Sequence, residues 1–172
     1  MRNKKVVFVV QAAMIAAIYV ALTMVSSMAG LASGTIQVRI SEALCILPVF
    51  IPAAIPGLWI GCFLANLLTG GILLDVVCGS IATLIGALGT YLLRKHKILC
   101  TIPPVIANMV IVPFVLKYGY GLVVEYKGVD WTLLFNAVTV GIGEVITCIF
   151  IGGLLLRVLA KYRNVMFGPE SR

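Results

Sequence analysis

Charged side chains are scarce in this sequence. Aspartate, glutamate, lysine and arginine make up 11% of the 172 residues, whereas hydrophobic residues make up 62%. Because soluble domains carry about 25% charged residues, this composition excludes an ordinary soluble domain and indicates an integral membrane protein. A chain of this length is expected to be one domain, with room for about six membrane spans at about 20 residues per crossing.

Residues typical of metal and redox sites are also few. The single histidine, His96, lies in a basic run that is best explained as a solvated loop. No two of the five cysteines have the C-x-x-C spacing of a zinc or redox site. These cysteines are Cys45, Cys62, Cys78, Cys100 and Cys148. We therefore expect no metal, no cofactor and no disulfide framework, with the cysteines acting as small buried hydrophobic side chains.

The motifs of nucleotide hydrolysis and metal-dependent catalysis are missing. The sequence contains neither a G-x-x-x-x-G-K-[ST] phosphate loop nor an H-E-x-x-H metal site. We therefore expect no catalytic residues. Because the chain has no phosphate loop of its own, the energy for any active transport must come from an ion gradient or from another chain. The net charge of +7 does not indicate nucleic-acid binding, because the basic residues are not grouped with aromatic ones on a soluble face.

Long apolar runs separated by turn residues predict six transmembrane helices. The expected ranges are 6–25, 40–51, 55–69, 74–93, 101–117 and 131–160. The first run resembles a secretory signal but is longer than the usual core of about 7 to 15 residues, so we expect it to be retained. The second and third runs are short and meet at prolines, so these helices either tilt or stop before the far surface.

Three basic clusters orient the predicted helices. They are Arg2, Lys4 and Lys5, then Arg94, Lys95 and Lys97, and finally Arg157, Lys161 and Arg163. Six crossings place all three clusters on one side, and the positive-inside rule makes that side the cytoplasm. We expect cytoplasmic termini, a single membrane domain over residues 1–163 and a cytoplasmic tail over residues 164–172.

Seven polar side chains fall at mid-depth or in the outer half of the predicted helices. They are Arg39, Glu42, Asn66, Asp75, Asn108, Asn136 and Glu144. An ionised side chain at membrane depth costs at least about 2.5 to 3.5 kcal/mol and normally faces a cavity or a partner. We therefore expect a polar substrate-binding pocket that opens to the outside. Carboxylates, amides and one guanidinium suit a small hydrogen-bonding heterocycle.

Some of these side chains also have a purely structural interpretation. Arg39 and Glu42 could form only an ion pair at the membrane surface. Asp75 could simply lie in the first turn of its helix, where the helix dipole favours a carboxylate. Asn66 and Asn108 could join helices by hydrogen bonds. Glu144 is hardest to explain in this way, because it lies in mid-membrane with no cation near it in its own helix.

The helix predicted at 6–25 carries a ladder of alanines. Ala13, Ala17 and Ala21 recur every four residues, and Ala12 and Ala16 form a parallel row. Such a smooth face lets another helix approach closely. The sequence leaves open whether that helix belongs to this chain or to a separate membrane subunit.

Motifs spread over nearly the whole chain resemble the QueT family. They are I-Q-V-R-I-S-E-A-L at 36–44, P-A-A-I-P-G at 52–57, L-D-V-V-C-G-S at 74–80, P-P-V-I-A-N at 103–108 and V-G-I-G-E at 140–144. The combination of R-x-S-E-A, P-A-A-I-P-G and G-x-G-E is specific. The resemblance implies the substrate-binding S component of an energy-coupling factor (ECF) transporter, a six-helix protein of the bacterial cell membrane.

The same resemblance implies partners and a cargo. Such S components dock through small residues of helix one, here matching Ala13 and Ala17, on the membrane subunit EcfT, which works with two cytoplasmic ATPases. The family's cargo is a queuosine precursor, 7-cyano- or 7-aminomethyl-7-deazaguanine. For this cargo, Glu144 or Glu42 is expected at the guanine-like edge and Asp75 at an amine.

Three other functions remain open at this level. The chain could be an S component for another small metabolite such as a vitamin, because the scaffold is shared and the pocket decides. A membrane-embedded enzyme is disfavoured by the missing nucleophile, base and metal groups. A purely structural membrane subunit would bind no small molecule.

Overall fold

The computed structural model describes residues 3–31, 37–96 and 98–162. Several predicted features lie outside these described residues. They are Arg2, Lys97, Arg163, the tail 164–172 and residues 32–36 of the first outer loop.

The described chain is almost entirely helical. In chain order its elements are α1 (Lys4–Met28), a 3₁₀ helix (Ile40–Val49), α2 (Ala54–Leu68), α3 (Leu73–Leu92), a 3₁₀ turn (Leu99–Thr101), α4 (Ile102–Phe114), a π turn (Val115–Gly119), β1 (Glu125–Tyr126), β2 (Val129–Asp130), α5 (Thr132–Glu144), a π segment (Val145–Ile151) and α6 (Gly152–Lys161). Helices α5 and α6 continue into each other through the π segment. The helical membrane fold predicted from the sequence is confirmed, and the ends of the six predicted helices agree to within three residues.

A small hairpin was not predicted. Strands β1 and β2 pair antiparallel, with Glu125 opposite Asp130. The two residues between them, Lys127 and Gly128, both have positive φ, which suits a tight two-residue turn with the twist of the strands. The hairpin lies between α4 and α5 at one end of the bundle.

Four helical segments are long and apolar enough to cross a membrane. They are Lys4–Met28, Leu73–Leu92, Leu99–Gly119 and Thr132–Lys161. The helices Ile40–Val49 and Ala54–Leu68 are shorter, with lengths of about 20 and 22 Å at about 2.0 and 1.5 Å per residue, against a hydrocarbon core of about 30 Å. The number of spans therefore stays a prediction. Whether the short pair crosses twice or turns back, the chain returns to the same side, so the sides assigned to later helices do not change.

Helices α1 and α2 pack at very close range. A Cβ atom added at Gly57 would lie 2.7 Å from the backbone oxygen of Ala12, and one added at Gly61 would lie 3.0 Å from Cα of Ala16. One alanine row of α1 therefore packs inside this chain. The other row, which includes Ala17, is exposed.

Most of the basic side chains among the described residues lie at one end of the bundle. Lys4 and Lys5 begin α1, Arg94 and Lys95 follow α3, and Lys161 ends α6. We refer to this end as the basic end and to the opposite end as the outer end. The positive-inside rule assigns the basic end to the cytoplasm.

Candidate binding pocket

The outer end of the bundle contains a cavity of about 680 Å³, which we call the pocket. The ends of α1, α2 and α4 and the beginnings of α3 and α5 surround it. Its polar lining consists of Thr23, Ser27, Gln37, Arg39, Thr69, Asp75, Tyr120, Asn136 and Thr139. Its volume lies within the range of about 300 to 1,000 Å³ that is usual for small-molecule sites.

Arg39 is fixed in the pocket wall by two partners. It lies in the extended segment before the 3₁₀ helix, and its Nη1 donates to Oδ1 of Asn66 at 3.0 Å. Its Nη2 lies 3.8 Å from Oδ2 of Asp75. Asn66 also donates from Nδ2 to the backbone oxygen of Asp75 at 3.3 Å. Asn66 is therefore behind the pocket wall, where it orients the guanidinium and does not line the pocket itself.

Asp75 also connects the pocket to the loop that follows α4. The Tyr120 hydroxyl donates to Oδ2 of Asp75 at 3.1 Å. Burial, and then the neighbouring Asp75 carboxylate, raise the pKa of Tyr120 above its ordinary value, so the phenol keeps the proton that it donates. Leu122 and Val124 continue this loop along the pocket. The Asp75 carboxylate thus interacts with Arg39 in the pocket wall and with Tyr120 in this loop, which we call the cover of the pocket.

Asn136 lines the pocket and has an unused hydrogen-bond donor. The residue lies in the first half of α5 and is only 5% exposed. Among the described residues, its Nδ2 is the buried side-chain nitrogen or oxygen without a hydrogen-bond partner. An unsatisfied buried donor costs about 1 to 3 kcal/mol, so an acceptor on a ligand in the pocket would be favoured here.

A much smaller cavity of about 20 Å³, the floor cavity, adjoins the pocket. The two cavities share the lining residues Gln37, Arg39, Val112 and Val140. Three further predicted site residues, Glu42, Asn108 and Glu144, line the floor cavity. The structure therefore brings six of the seven predicted residues to two adjoining cavities and places Asn66 behind them.

Neutral donors hold the two carboxylates of the floor. Glu42 is 2% exposed and accepts hydrogen bonds from the Tyr19 hydroxyl and, at 3.1 Å, from the Cys45 thiol. Glu144 is 8% exposed and accepts from Nδ2 of Asn108 at 2.9 Å. Within residues 3–31, 37–96 and 98–162, neither carboxylate forms a salt bridge.

Possible metal ligands also meet at this floor. One donor atom each from Glu42, Glu144 and Cys148 lies within 4.8 Å of the others. However, the Cys148 thiol donates to Glu144 at 3.2 Å, and both carboxylates already have donors from the protein. We assign no metal to these atoms, and the expectation of a metal-free protein stays a prediction.

Several residues that line or support the two cavities were not predicted from the sequence. Tyr19, Thr23 and Ser27 recur every four residues in α1, so they form a polar stripe on an apolar helix, and this signal was available in the sequence. Thr23 donates to Oγ of Ser41 at 2.8 Å, which ties α1 to the 3₁₀ helix. Tyr120 had no such signal, because it lies in a loop without periodicity.

A helical, multi-pass membrane chain with a polar pocket at one end has the architecture of a small-molecule transporter. A family model described as QueT transporter matches residues 9–161, and the chain belongs to this family. The family is one of membrane transporters and not of enzymes, and the four long apolar helices support a multi-pass membrane protein, as the sequence predicted.

The chain is also similar to a named transporter. The chain is 35% identical over 98 residues to the queuosine precursor transporter QueT of Lactococcus lactis subsp. cremoris (strain MG1363). The match covers 56% of this chain and 57% of the relative, so the chain spans little more than half the length of that protein. No solved structure matches the chain.

Proposed function

We propose that this chain is the substrate-binding S component of an ECF-type ABC transporter. It captures a queuosine precursor, 7-cyano- or 7-aminomethyl-7-deazaguanine, at the outer end for ATP-driven uptake. The observation that carries this proposal is the pocket wall of Arg39, Asp75 and the unpaired Asn136 amide in a chain of the QueT transporter family. The name of the Lactococcus relative supports the choice of cargo.

The chemistry of a 7-deazaguanine complements the pocket. Its carbonyl oxygen O6 accepts hydrogen bonds, so it suits the unpaired Nδ2 of Asn136. A cationic 7-aminomethyl group suits Asp75, whose carboxylate faces the same pocket. The N1–H and amino donors of the ring suit Glu42 or Glu144 in the floor. The floor cavity of about 20 Å³ is too small for the ring, so only the edge of the ligand reaches these carboxylates.

The exposed alanines of α1 support a membrane partner. Gly57 and Gly61 of α2 pack against the row formed by Ala12 and Ala16, so this row already contacts a helix of the same chain. The residues that match the docking positions of the family, Ala13 and Ala17, remain exposed on α1. Small exposed residues let a helix of another subunit approach closely. In the proposal that subunit is EcfT, and its two associated ATPases supply the energy.

Uptake of labelled 7-aminomethyl-7-deazaguanine tests the assembly. Cells that produce this chain should accumulate the label only when EcfT and both ATPases are also produced. Replacing both exposed alanines, Ala13→Leu with Ala17→Leu, should lower uptake at least about tenfold while ligand binding by the purified chain stays unchanged. Ala160→Leu, at an exposed alanine of α6, is the matched control and should keep both.

Two results would contradict this assembly. Accumulation by the chain without the other subunits would remove the ECF part of the proposal. Loss of binding together with uptake in the double variant would show that the exposed alanines support the fold instead of docking.

A further inference from the structure

Helices α3 and α4 leave an apolar groove between them at the basic end. The groove has a volume of about 520 Å³ and shares no lining residue with the pocket. Its walls include Ile85, Gly89 and Leu93 on one side and Ile102, Ile106 and Val110 on the other. It is therefore a second cavity that the transport function described above does not use.

The shape of the groove suits a hydrocarbon chain. Ile85 and Leu93 are eight residues apart, so the groove runs about 12 Å along the bundle axis at about 1.5 Å per residue. Ile106 is 55% exposed and Val110 is 57% exposed, so its open side faces outward from the bundle. In a membrane this surface contacts lipid.

The inner end of the groove meets the loop that carries Arg94 and Lys95. This loop is held in place, because Thr90 donates from Oγ1 to the backbone oxygen of Cys100 at 2.8 Å. The Arg94 guanidinium lies 4.1 Å from the centre of the Tyr91 ring and donates to the Tyr91 backbone oxygen at 3.0 Å. Both cationic side chains are exposed next to the groove residue Leu93.

Within the described residues, Arg94 and Lys95 have no acidic partner. Across the part of the chain that the structure describes, both salt bridges lie at the outer end, between Arg39 and Asp75 and between Lys117 and Asp130. Arg94 and Lys95 therefore form a positive rim beside an apolar groove. A ligand with a negative head and an apolar tail complements both parts.

We propose that this groove binds one anionic phospholipid, with an acyl chain between α3 and α4 and the phosphate on Arg94 and Lys95. Basic sites next to the cytoplasmic ends of membrane helices attract anionic head groups, and apolar grooves bury acyl chains. A zwitterionic lipid would satisfy the groove but would gain less from the two cations. A helix from another protein would leave the cations unpaired unless it also carried acidic side chains there.

Native mass spectrometry of the purified full chain tests this proposal. The probes are phosphatidylglycerol and phosphatidylcholine with identical palmitoyl and oleoyl chains, added in equal amounts to the detergent-solubilised protein. We expect one tightly retained phosphatidylglycerol. Neutralising the rim with Arg94→Gln and Lys95→Gln should lower the retention of phosphatidylglycerol at least about fivefold, because each cation near the membrane surface strengthens the binding of an anionic lipid.

Matched variants separate this site from general attraction to anionic lipid. Lys4→Gln with Lys5→Gln removes the same charge from the same end of the bundle and should keep the retained phosphatidylglycerol. Val110→Phe should fill the groove and lower retention, whereas Val9→Phe, at an exposed position of α1, should not. All four variants should keep ligand binding in the pocket, which provides a check on folding.

Three outcomes would overturn the proposal. One is equal retention of the two lipids by the unmodified chain. Another is an equal loss of phosphatidylglycerol in the Lys4 and Lys5 variant and in the Arg94 and Lys95 variant. The third is a Val110→Phe chain that keeps its lipid but loses a co-purifying membrane protein, because the groove would then be a protein interface.

Discussion

At the scale of a single residue, the buried and unpaired amide of Asn136 gives the most direct support for the proposal that the pocket binds a ligand. The backbone oxygen of Asn136 accepts a hydrogen bond from the Thr139 hydroxyl at 3.1 Å. The side-chain Nδ2 of Asn136, in contrast, has no partner in the described residues. Folding normally pairs such donors, because leaving one buried and unpaired costs about 1 to 3 kcal/mol. A ligand acceptor would remove this cost.

Replacing this amide should separate binding from stability. We expect Asn136→Leu to weaken binding of 7-aminomethyl-7-deazaguanine about tenfold, because one hydrogen bond of about 1.4 kcal/mol is lost. The unfolding temperature should stay the same or rise, because the unpaired donor disappears. Calorimetric titration and thermal unfolding measure the two effects. Asn66→Leu is the contrasting variant. It should lower both the ligand affinity and the unfolding temperature, because Arg39 loses a hydrogen-bond acceptor. Unchanged affinity in Asn136→Leu would remove Asn136 from the binding model.

Glu144 allows a similar test in the floor. It lies near the second carboxylate, Glu42, and neither has a salt bridge within the described residues. Glu144→Gln keeps an oxygen for Asn108 but removes the acid group. We expect affinity for the deazaguanine to fall at least about tenfold, because hydrogen bonds to a charged group contribute about 1.5 to 3 kcal/mol.

The same variant should not lower stability. The free energy of unfolding should stay level or rise, because repulsion between the two carboxyl groups is reduced. The control is Glu125→Gln, at an exposed acid in the hairpin, which should change neither quantity. Unchanged affinity in Glu144→Gln would exclude a direct contact between Glu144 and the ligand.

At the scale of elements, the contact between α5 and the segment before the 3₁₀ helix positions the pocket wall. Gly143 packs directly against the backbone carbonyl of Gln37, and an added Cβ atom there would overlap with that oxygen. The absence of a side chain lets residues 37–39 run close to α5 and carry Arg39 into the pocket. The helix then widens into the π segment Val145–Ile151 directly after Glu144, and such wide turns are frequent at functional sites.

Gly143→Ala should therefore disturb both the fold and the pocket. We expect a loss of about 1 to 3 kcal/mol in stability, since the backbone of residues 37–39 must move. Ligand affinity should fall because Arg39 moves with it. Gly153→Ala is the matched control further along the same continuous helix, where an added Cβ atom meets nothing within 4 Å. It should be neutral or slightly stabilising, because alanine favours a helix by up to about 1 kcal/mol over glycine. Equal unfolding in detergent for both variants would contradict this account.

The cover of the pocket is another element held by specific contacts. The Lys117 ammonium pairs with Asp130, so the two ends of the segment that contains the hairpin are joined. The hydrogen bond from Lys117, followed by those from Thr132, holds the pKa of Asp130 well below its usual range. The stabilising contribution of this carboxylate is complete above the usual aspartate pKa of about 3.9 and is lost only as the pH falls below it. The backbone N–H of Val124 donates to Oγ1 of Thr132 at 2.8 Å and fastens the loop beside the pocket.

At the scale of the whole molecule, the sequence predicted the helices well because their signals are local. The apolar runs are long, and glycine, proline or charged residues bound them, as at Gly70 before α3 and Arg94 after it. The depth of each polar residue followed from the rise per residue along its helix. Depth alone brought Asp75 and Asn136 to the same end of the bundle.

What the sequence could not provide was the rotation of each helix about its own axis. Asn66 and Asn136 have similar predicted depths, yet one is behind Arg39 and the other faces the pocket. That difference depends on how neighbouring helices pack, for example where Gly61 fits against Ala16. The π turns and the hairpin were also unpredictable, because the hydrogen-bond pattern of a single wide or tight turn has no sequence period.

The measurement that tests the central claim most directly is a calorimetric titration of the purified protein in detergent with 7-aminomethyl-7-deazaguanine, run beside guanine and thiamine. The account predicts saturable binding that is selective for the deazaguanine. Absence of binding by the folded protein, or a preference for thiamine, would contradict the proposed cargo and require another substrate for this pocket.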